Sequence, residues 1–313
     1  MVTHKKTLLE RVKFLHNILK RIPFGRKDIY LDEVLTELSR QLRKDDIGAR
    51  ANAVAFNFTM AIFPGIIFLF TMIPYIPIPN LTENIMEFLK GAMPRSLYVE
   101  AASTIEDIVK KHHGGLLSFG FLFALYASTN GMSAIISTFN SCYRTKDDRS
   151  FITQKLLAVG LTFVLVSTLL VAAAGIITGG VLLDTLVSYG VLKRDYIYNL
   201  LNLSQYLIVV FTFFFSISFI YYLAPNVTVR WNFFSIGSVI ATALTIIVSY
   251  GFSIYLNNFA SYNKLYGSIG TFIGLMLWLY IMSYIILIGF EINAAIDAAK
   301  RKHDRHHPYK ENS

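Results

Sequence analysis

The sequence predicts an all-α integral membrane protein with six transmembrane helices, amphipathic N-terminal cytoplasmic helices and a helical external loop. Three observations carry that fold class. Of the 313 residues, 54% are hydrophobic and only 16% charged, against about 25% charged in a soluble protein, and the mean hydropathy is +0.49. The charges collect in the first 50 residues, in short connectors and at the C-terminal end, leaving long charge-free segments. Those segments occur six times at the length of about 20 residues that a helix needs to cross a bilayer. The net charge of +9 then belongs to flanks near anionic lipid rather than to a nucleic-acid surface.

The elements follow in order. Residues 1–50 are basic and too broken by charge to act as the apolar core of a cleavable signal. Within them, "DIYLDEVLTELSRQLRKDDIG" sets Ile29, Val34, Leu35, Leu38 and Leu42 at helix spacing, which predicts an amphipathic helix on the cytoplasmic face. Residues 51–298 form the transmembrane domain, with spans over 51–75, 116–140, 156–183, 197–223, 233–256 and 269–296. The external connector, 76–115, is the longest and carries two apolar stripes, "LTENIMEFLKGAMP" and "RSLYVEAASTIEDIVKKHH". They predict two short helices on the outer leaflet or over the bundle. Residues 299–313 are a cytoplasmic polar tail. Of the 29 Lys and Arg residues, 22 fall in the two termini and the connectors sharing their side, and 7 on the other side. That asymmetry predicts a bacterial cytoplasmic-membrane protein with both termini in the cytoplasm. The single cysteine, Cys142, has no His or Asp motif beside it and reads as a small residue at a helix end.

The spans are not uniformly apolar. Span two carries Tyr126, Asn130, Ser133, Ser137 and Asn140 at alternating four- and three-residue steps, one face of a helix. Span five carries Ser235, Ser238, Thr242, Thr245 and Ser249 in the same manner. Span one sets Arg50, Asn57 and Pro64 seven residues apart, with Ala53 and Ala61 on the same side, and Pro64 can kink the helix or act as a hinge. Span six lines up Gly270, Gly274, Tyr284 and Glu291 along one seam. Two readings compete: close helix packing, where such hydrogen bonds contribute roughly 0.6–2 kcal/mol each, and a hydrated cavity or lateral groove. Under the second, a substrate path runs along Asn57, Pro64, Asn130, Ser133, Ser137, Asn140, Ser238, Thr242, Thr245 and Tyr284. Glu291, far along a span, must be paired or protonated. The nearest cations by topology are Arg50 and Arg230, which predicts a polar cluster of Glu291 with one of them at the cytoplasmic mouth, joined by Asn293 and Tyr221.

These residues resemble the YihY/BrkB family of bacterial inner-membrane proteins. "AVAFNFTMAIFP" (53–64) is similar to that family's small–aromatic–"FP" signature, departing at Asn57, where an aromatic is expected, and at Ala61, where serine is usual. "YYLAPNVTVRW" (221–231) resembles its connector after span four, and "YGSIGTFIGLMLWLYIMSYIILIGFEINAAI" (266–296) its last span. Pro64, Tyr221, Pro225, Asn226, Trp231, Tyr266, Gly267, Trp278, Glu291 and Asn293 match the family's recurring residues. The resemblance implies six spans with both termini inside. Members have been labelled ribonuclease BN, virulence factor or serum-resistance protein, and some have been linked to lipid or envelope transport; none of these labels brings a catalytic motif.

The chain carries no recognisable catalytic constellation. A nuclease needs clustered metal carboxylates or a His-based acid–base pair, and the spans contain no histidine. "KHHGG" offers His112 and His113 in the external loop, and "KHDRHHPY" offers His303, His306 and His307 in the tail. There is no phosphate-binding loop for ATP. The expectation is a non-enzyme without cofactor or metal, with no nucleic-acid partner: a transporter or flippase-like protein for a lipid or other small amphipathic solute. Membrane lipids are its expected partners, with envelope proteins or a second copy of the chain as further candidates. A non-transporting membrane scaffold or envelope assembly factor is the alternative, and a membrane-bound nuclease a remote one.

Overall fold

The structure, a computed structural model, describes residues 30–44, 46–72, 83, 86, 114–142, 148–188, 194–226, 231–258 and 268–306. Seven helices fill these segments: α1 Leu31–Lys44, α2 Ile47–Met72, α3 Gly114–Cys142, α4 Phe151–Ser188, α5 Arg194–Leu223, α6 Ile236–Asn258 and α7 Ser268–His306. No strand occurs among the described residues. Capping chemistry sets three of the starts. Asp46 accepts the Ala49 amide at 3.0 Å before α2. Ser150 accepts that of Thr153 at 3.3 Å before α4, and Ser235 that of Ser238 at 3.2 Å before α6. Each side chain satisfies an amide that the first turn would leave without a partner.

α2 to α7 each contain a stretch long and apolar enough to cross a membrane, and they are the six predicted spans. Two run furthest past their predicted bounds. α4 begins at Phe151, and α7 continues to His306, through the point at 298–299 where the polar tail was expected to begin. The 39 residues of α7 extend about 58 Å, nearly twice the hydrocarbon thickness. The helix also runs unbroken through Pro64 in α2. The predicted helices of the 76–115 loop fall almost wholly outside the described residues.

Each span packs on its neighbour in the sequence, and α7 packs back on α2. The six spans therefore close a ring in chain order, consecutive elements being neighbours in space. At one end, here the near end, α2, α4 and α6 begin and α3 and α5 finish. The buried apolar core lies towards that end, with Val54, Phe139, Leu161, Ile220, Ala241 and Phe290 contributed by the six spans in turn. The far half differs. There α2 and α3 stay close, with Gly120 against the Phe68 backbone and Gly131 against the Phe58 ring. Among residues 163–172 of α4, 203–213 of α5 and 246–255 of α6 none is buried, although Leu165 and Val248 still pack against the core and Gly175 lies beside Ile208.

α1 lies against the near-end extension of α7. Val34 and Leu38 pack on Ile292, Ala295, Ile296 and Ala299. The predicted apolar stripe is thus divided: Val34 is buried, whereas Leu35 and Leu42 remain exposed.

Candidate functional site

Four aromatic rings converge at the near end. Phe139 of α3 stacks on Phe290 of α7, with centroids 3.8 Å apart and planes 5° from parallel. Tyr221 of α5 meets both edge-on, at 5.7 and 6.1 Å. Trp231, just before α6, stands 5.1 Å from Phe290. Such pairs contribute roughly 0.5–1.5 kcal/mol each beyond the area they bury. Phe139 and Phe290 are both 0% exposed, so this cluster fills the ring at its near end.

Beside it, α6 and α7 cross without room for a side chain. A Cβ on Gly237 would meet the Gly289 carbonyl oxygen, and lie 2.6 Å from Asn293 Oδ1. A Cβ on Gly289 would meet the Tyr221 hydroxyl and lie 2.9 Å from the Gly237 carbonyl oxygen. The space left by the missing side chain admits the Tyr221 hydroxyl, which donates to the Ile286 carbonyl at 2.6 Å. One turn on, Asn293 Oδ1 accepts the Gly237 amide at 2.8 Å, and its Nδ2 donates to Ser235 Oγ at 2.9 Å. A residue of α7 therefore completes the N-terminal cap of α6. Glu291 lies between these two positions and, at about 200° around the helix from Gly289, projects away from α6. It is 0% exposed, an environment in which a carboxylate persists only paired or protonated. Of the cations expected beside it, Arg230 lies outside the described residues. Arg50 sends Nη1 towards the Thr138 carbonyl of α3, 3.4 Å away.

Asn140 is buried at the end of α3, where its Oδ1 accepts the Asn226 amide at 2.8 Å. Arg149 donates to the Ala224 carbonyl at 3.1 Å, so two residues pin the connector that follows α5. Ser238, Thr242 and Thr245 are buried on α6. Ser238 donates to the Ser235 carbonyl at 2.8 Å and Thr242 to the Ser238 carbonyl at 2.7 Å. Ser238 and Thr242 thus satisfy their hydroxyls on their own backbone, whereas Ser249 donates to Met282 Sδ of α7 at 3.9 Å. Tyr284 is half-buried against the core, and Pro64 is buried.

The span-two stripe is a correction. Ser137 is exposed, Tyr126 is 64% exposed, and Asn130 and Ser133 are half-buried. The inward face of α3 belongs instead to Met132, Ile135, Ile136 and Phe139. Within a bilayer the inner face goes to side chains that pack closely against neighbouring helices, and a hydroxyl that back-bonds is already satisfied and can face outward: Ser133 donates to the Thr129 carbonyl at 2.8 Å. A cation takes the rest of this face. Lys155 Nζ donates to Asn130 Oδ1 at 3.0 Å and to Ser133 Oγ at 3.3 Å. The span-one face also shifts. Ala53 is exposed and Asn57 only half-buried, its amide donating to the Ala53 carbonyl at 2.8 Å. Ile47, Ala51 and Val54 face inward in their place, while Ala61 and Pro64 of the expected face are buried.

Sequence reasoning did not single out Phe139, Phe290, Arg149 or Lys155. Lys155 left a signal, since it stands one residue before the predicted start of span three, where a helix that begins earlier carries it inside. Among the described residues no three His, Cys, Asp or Glu side chains gather as metal ligands. The side chains of His112, His113, His303, His306 and His307 lie outside the described set.

The closed ring of six apolar spans defines a multi-pass α-helical membrane protein. The chain belongs to the BrkB family, whose profile, described as Virulence factor BrkB, matches residues 38–312. It is 32% identical over 275 residues to the ribonuclease-like protein YfkH of Bacillus subtilis (strain 168), covering 88% of this chain and 98% of that protein. It is 24% identical over 271 residues to a UPF0761 membrane protein of Vibrio campbellii, covering 85% of this chain and 82% of that one. A UPF0761 membrane protein of Xanthomonas oryzae pv. oryzae is 26% identical over 299 residues, covering 93% and 66%. No solved structure matches the chain. The matched residues include Tyr221, Trp231, Glu291 and Asn293, which build the near-end site.

Proposed function

We propose that this protein moves a lipid or another small amphipathic solute across the bacterial cytoplasmic membrane, with both termini in the cytoplasm. One observation carries the reading: the ring is packed shut at its near end, whereas among residues 163–172 of α4, 203–213 of α5 and 246–255 of α6 none is buried. The 22-to-7 distribution of basic residues favours a cytoplasmic near end. The aromatic cluster then acts as the inner barrier, and the far half as the side a substrate enters. Glu291 is the titratable group at that barrier and serves as its gate. The membrane lipids around the ring are both the surroundings and the source of substrate.

Proteoliposomes holding a lipid with a fluorescent headgroup test this, with and without an imposed pH gradient. External dithionite should bleach both leaflets when the protein is present and only the outer leaflet when it is absent. Glu291→Gln should abolish this transfer while the protein keeps its melting temperature. Bleaching that stops at the outer leaflet for anionic and zwitterionic lipids alike, with either gradient condition, overturns the proposal. A second reading, a scaffold that holds envelope proteins or a second copy, draws on Ser238 and Thr242 of the α6 stripe, whose hydroxyls are taken up by their own backbone. On that reading Glu291→Gln lowers expression and melting temperature, because the residue is a clamp.

A further inference from the structure

A membrane-level cation stands apart from the near-end barrier, in the seam between α3 and α4. Two anchors fix its depth. Asn140 binds the Asn226 amide and Arg149 binds the Ala224 carbonyl, so both lie level with the end of α5. Counted inward from these anchors, Ser133 and Lys155 lie level with each other, about 10 Å deeper along their helices. A lysine near a helix end ordinarily snorkels to water. This one instead donates to Asn130 Oδ1 and Ser133 Oγ, at 3.0 and 3.3 Å, with the Phe151 ring centroid 5.8 Å away.

An ammonium has three donors, and these contacts occupy two. Asn130 and Ser133 are neutral, and among the described residues no carboxylate stands within ion-pair distance of Lys155. A half-buried positive charge in a low-dielectric setting is costly without a counter-charge. The seam opens onto the perimeter of the ring, where Tyr126 is 64% and Leu156 66% exposed and Phe123 and Ser137 are also exposed. An anionic group arriving from the bilayer can reach the free N–H while its acyl chains lie along these apolar rings.

We infer that the α3–α4 seam is a binding site for the phosphate of an anionic membrane lipid, held by Lys155 and oriented by Asn130 and Ser133. Basic pockets between transmembrane helices recognise lipid headgroups through this chemistry. The site goes beyond the transport reading, because a lipid binds there whether or not it is moved. Asn130 and Ser133 then hold the Lys155 ammonium at a seam opening sideways to lipid, rather than lining a central path.

The test titrates the purified, detergent-solubilised protein with phosphatidylglycerol and with phosphatidylcholine of the same acyl chains. Bound lipid is read by native mass spectrometry and by melting temperature. Phosphatidylglycerol should be retained selectively and raise the melting temperature. Lys155→Met should bind it about tenfold more weakly, and Lys155→Arg should keep most of the selectivity. The wild-type comparison of the two lipids needs no variant, so it decides even if Lys155→Met fails to fold. Equal retention of both lipids by the wild type, or undiminished selectivity in a folded Lys155→Met protein, overturns the site. Inorganic phosphate at millimolar concentration that reproduces the shift and displaces the lipid assigns the seam to a free anion and overturns the lipid reading.

Discussion

Asn293 belongs to α7 but caps α6, accepting the Gly237 amide and donating to Ser235. Replacing it with alanine leaves a buried N–H without an acceptor, a loss of roughly 1–3 kcal/mol. Asn293→Ala should therefore lower the thermal stability of the detergent-solubilised protein, whereas the same change at half-exposed Asn57, which bonds only within its own helix, should have little effect. Gly237→Ala is expected to be at least as damaging. Its Cβ would meet backbone rather than a movable side chain, and overpacking of this kind costs about 1–3 kcal/mol or more. A Gly237→Ala protein melting with the wild type would show that α6 and α7 can separate freely here. The sequence marked Asn293 as a polar residue in an apolar helix, but its purpose was not legible, because its partners are 56 and 58 residues away. Ser137 shows the reverse. Its spacing suggested an inward face, yet spacing says only that residues share a side, and Phe139 with its apolar neighbours took the inner one.

At the scale of elements, the six spans were legible because hydrophobic length is dictated by the bilayer itself. Their ends were not: α7 runs on through a charged stretch of good helix formers, and α4 starts early at the cap that Ser150 provides. α1 was legible as amphipathic, but its partner was not: the helix that covers Val34 comes from the other end of the chain. That contact centres on buried Val34, so a change there should release it. Val34→Asp places a carboxylate against Ala295 and Ala299. Limited trypsin digestion should then cut within α1, at Arg40 or Arg43, with the six-span domain left whole. Leu42→Asp, at an exposed position, should be cut no faster than the wild type. Equal resistance of both variants would mean that the Val34 contact does not hold α1 in place.

For the whole molecule, the orientation rests on the 22-to-7 distribution of basic residues, and the lone cysteine makes it simple to test. With Cys142 replaced by alanine, a single cysteine near Lys110 should react with a membrane-impermeant thiol reagent on intact cells. One near Lys146 should react only after permeabilisation, and the opposite pattern would invert the protein and with it the side from which substrate enters. The closure of α7 on α2, and the docking of α1 on α7, also set a clock for synthesis. The face of α1 that carries Val34 is made early, but its cover follows roughly 250 residues later, on the order of 15–50 s at ribosomal speeds. For that interval the nascent protein is an open arc with one sticky N-terminal helix. Ribosome-bound chains stopped before α7 should accordingly be the ones that chaperones and membrane proteases bind. Completion of the last helix is then the moment at which the cell can tell a finished copy from a broken one.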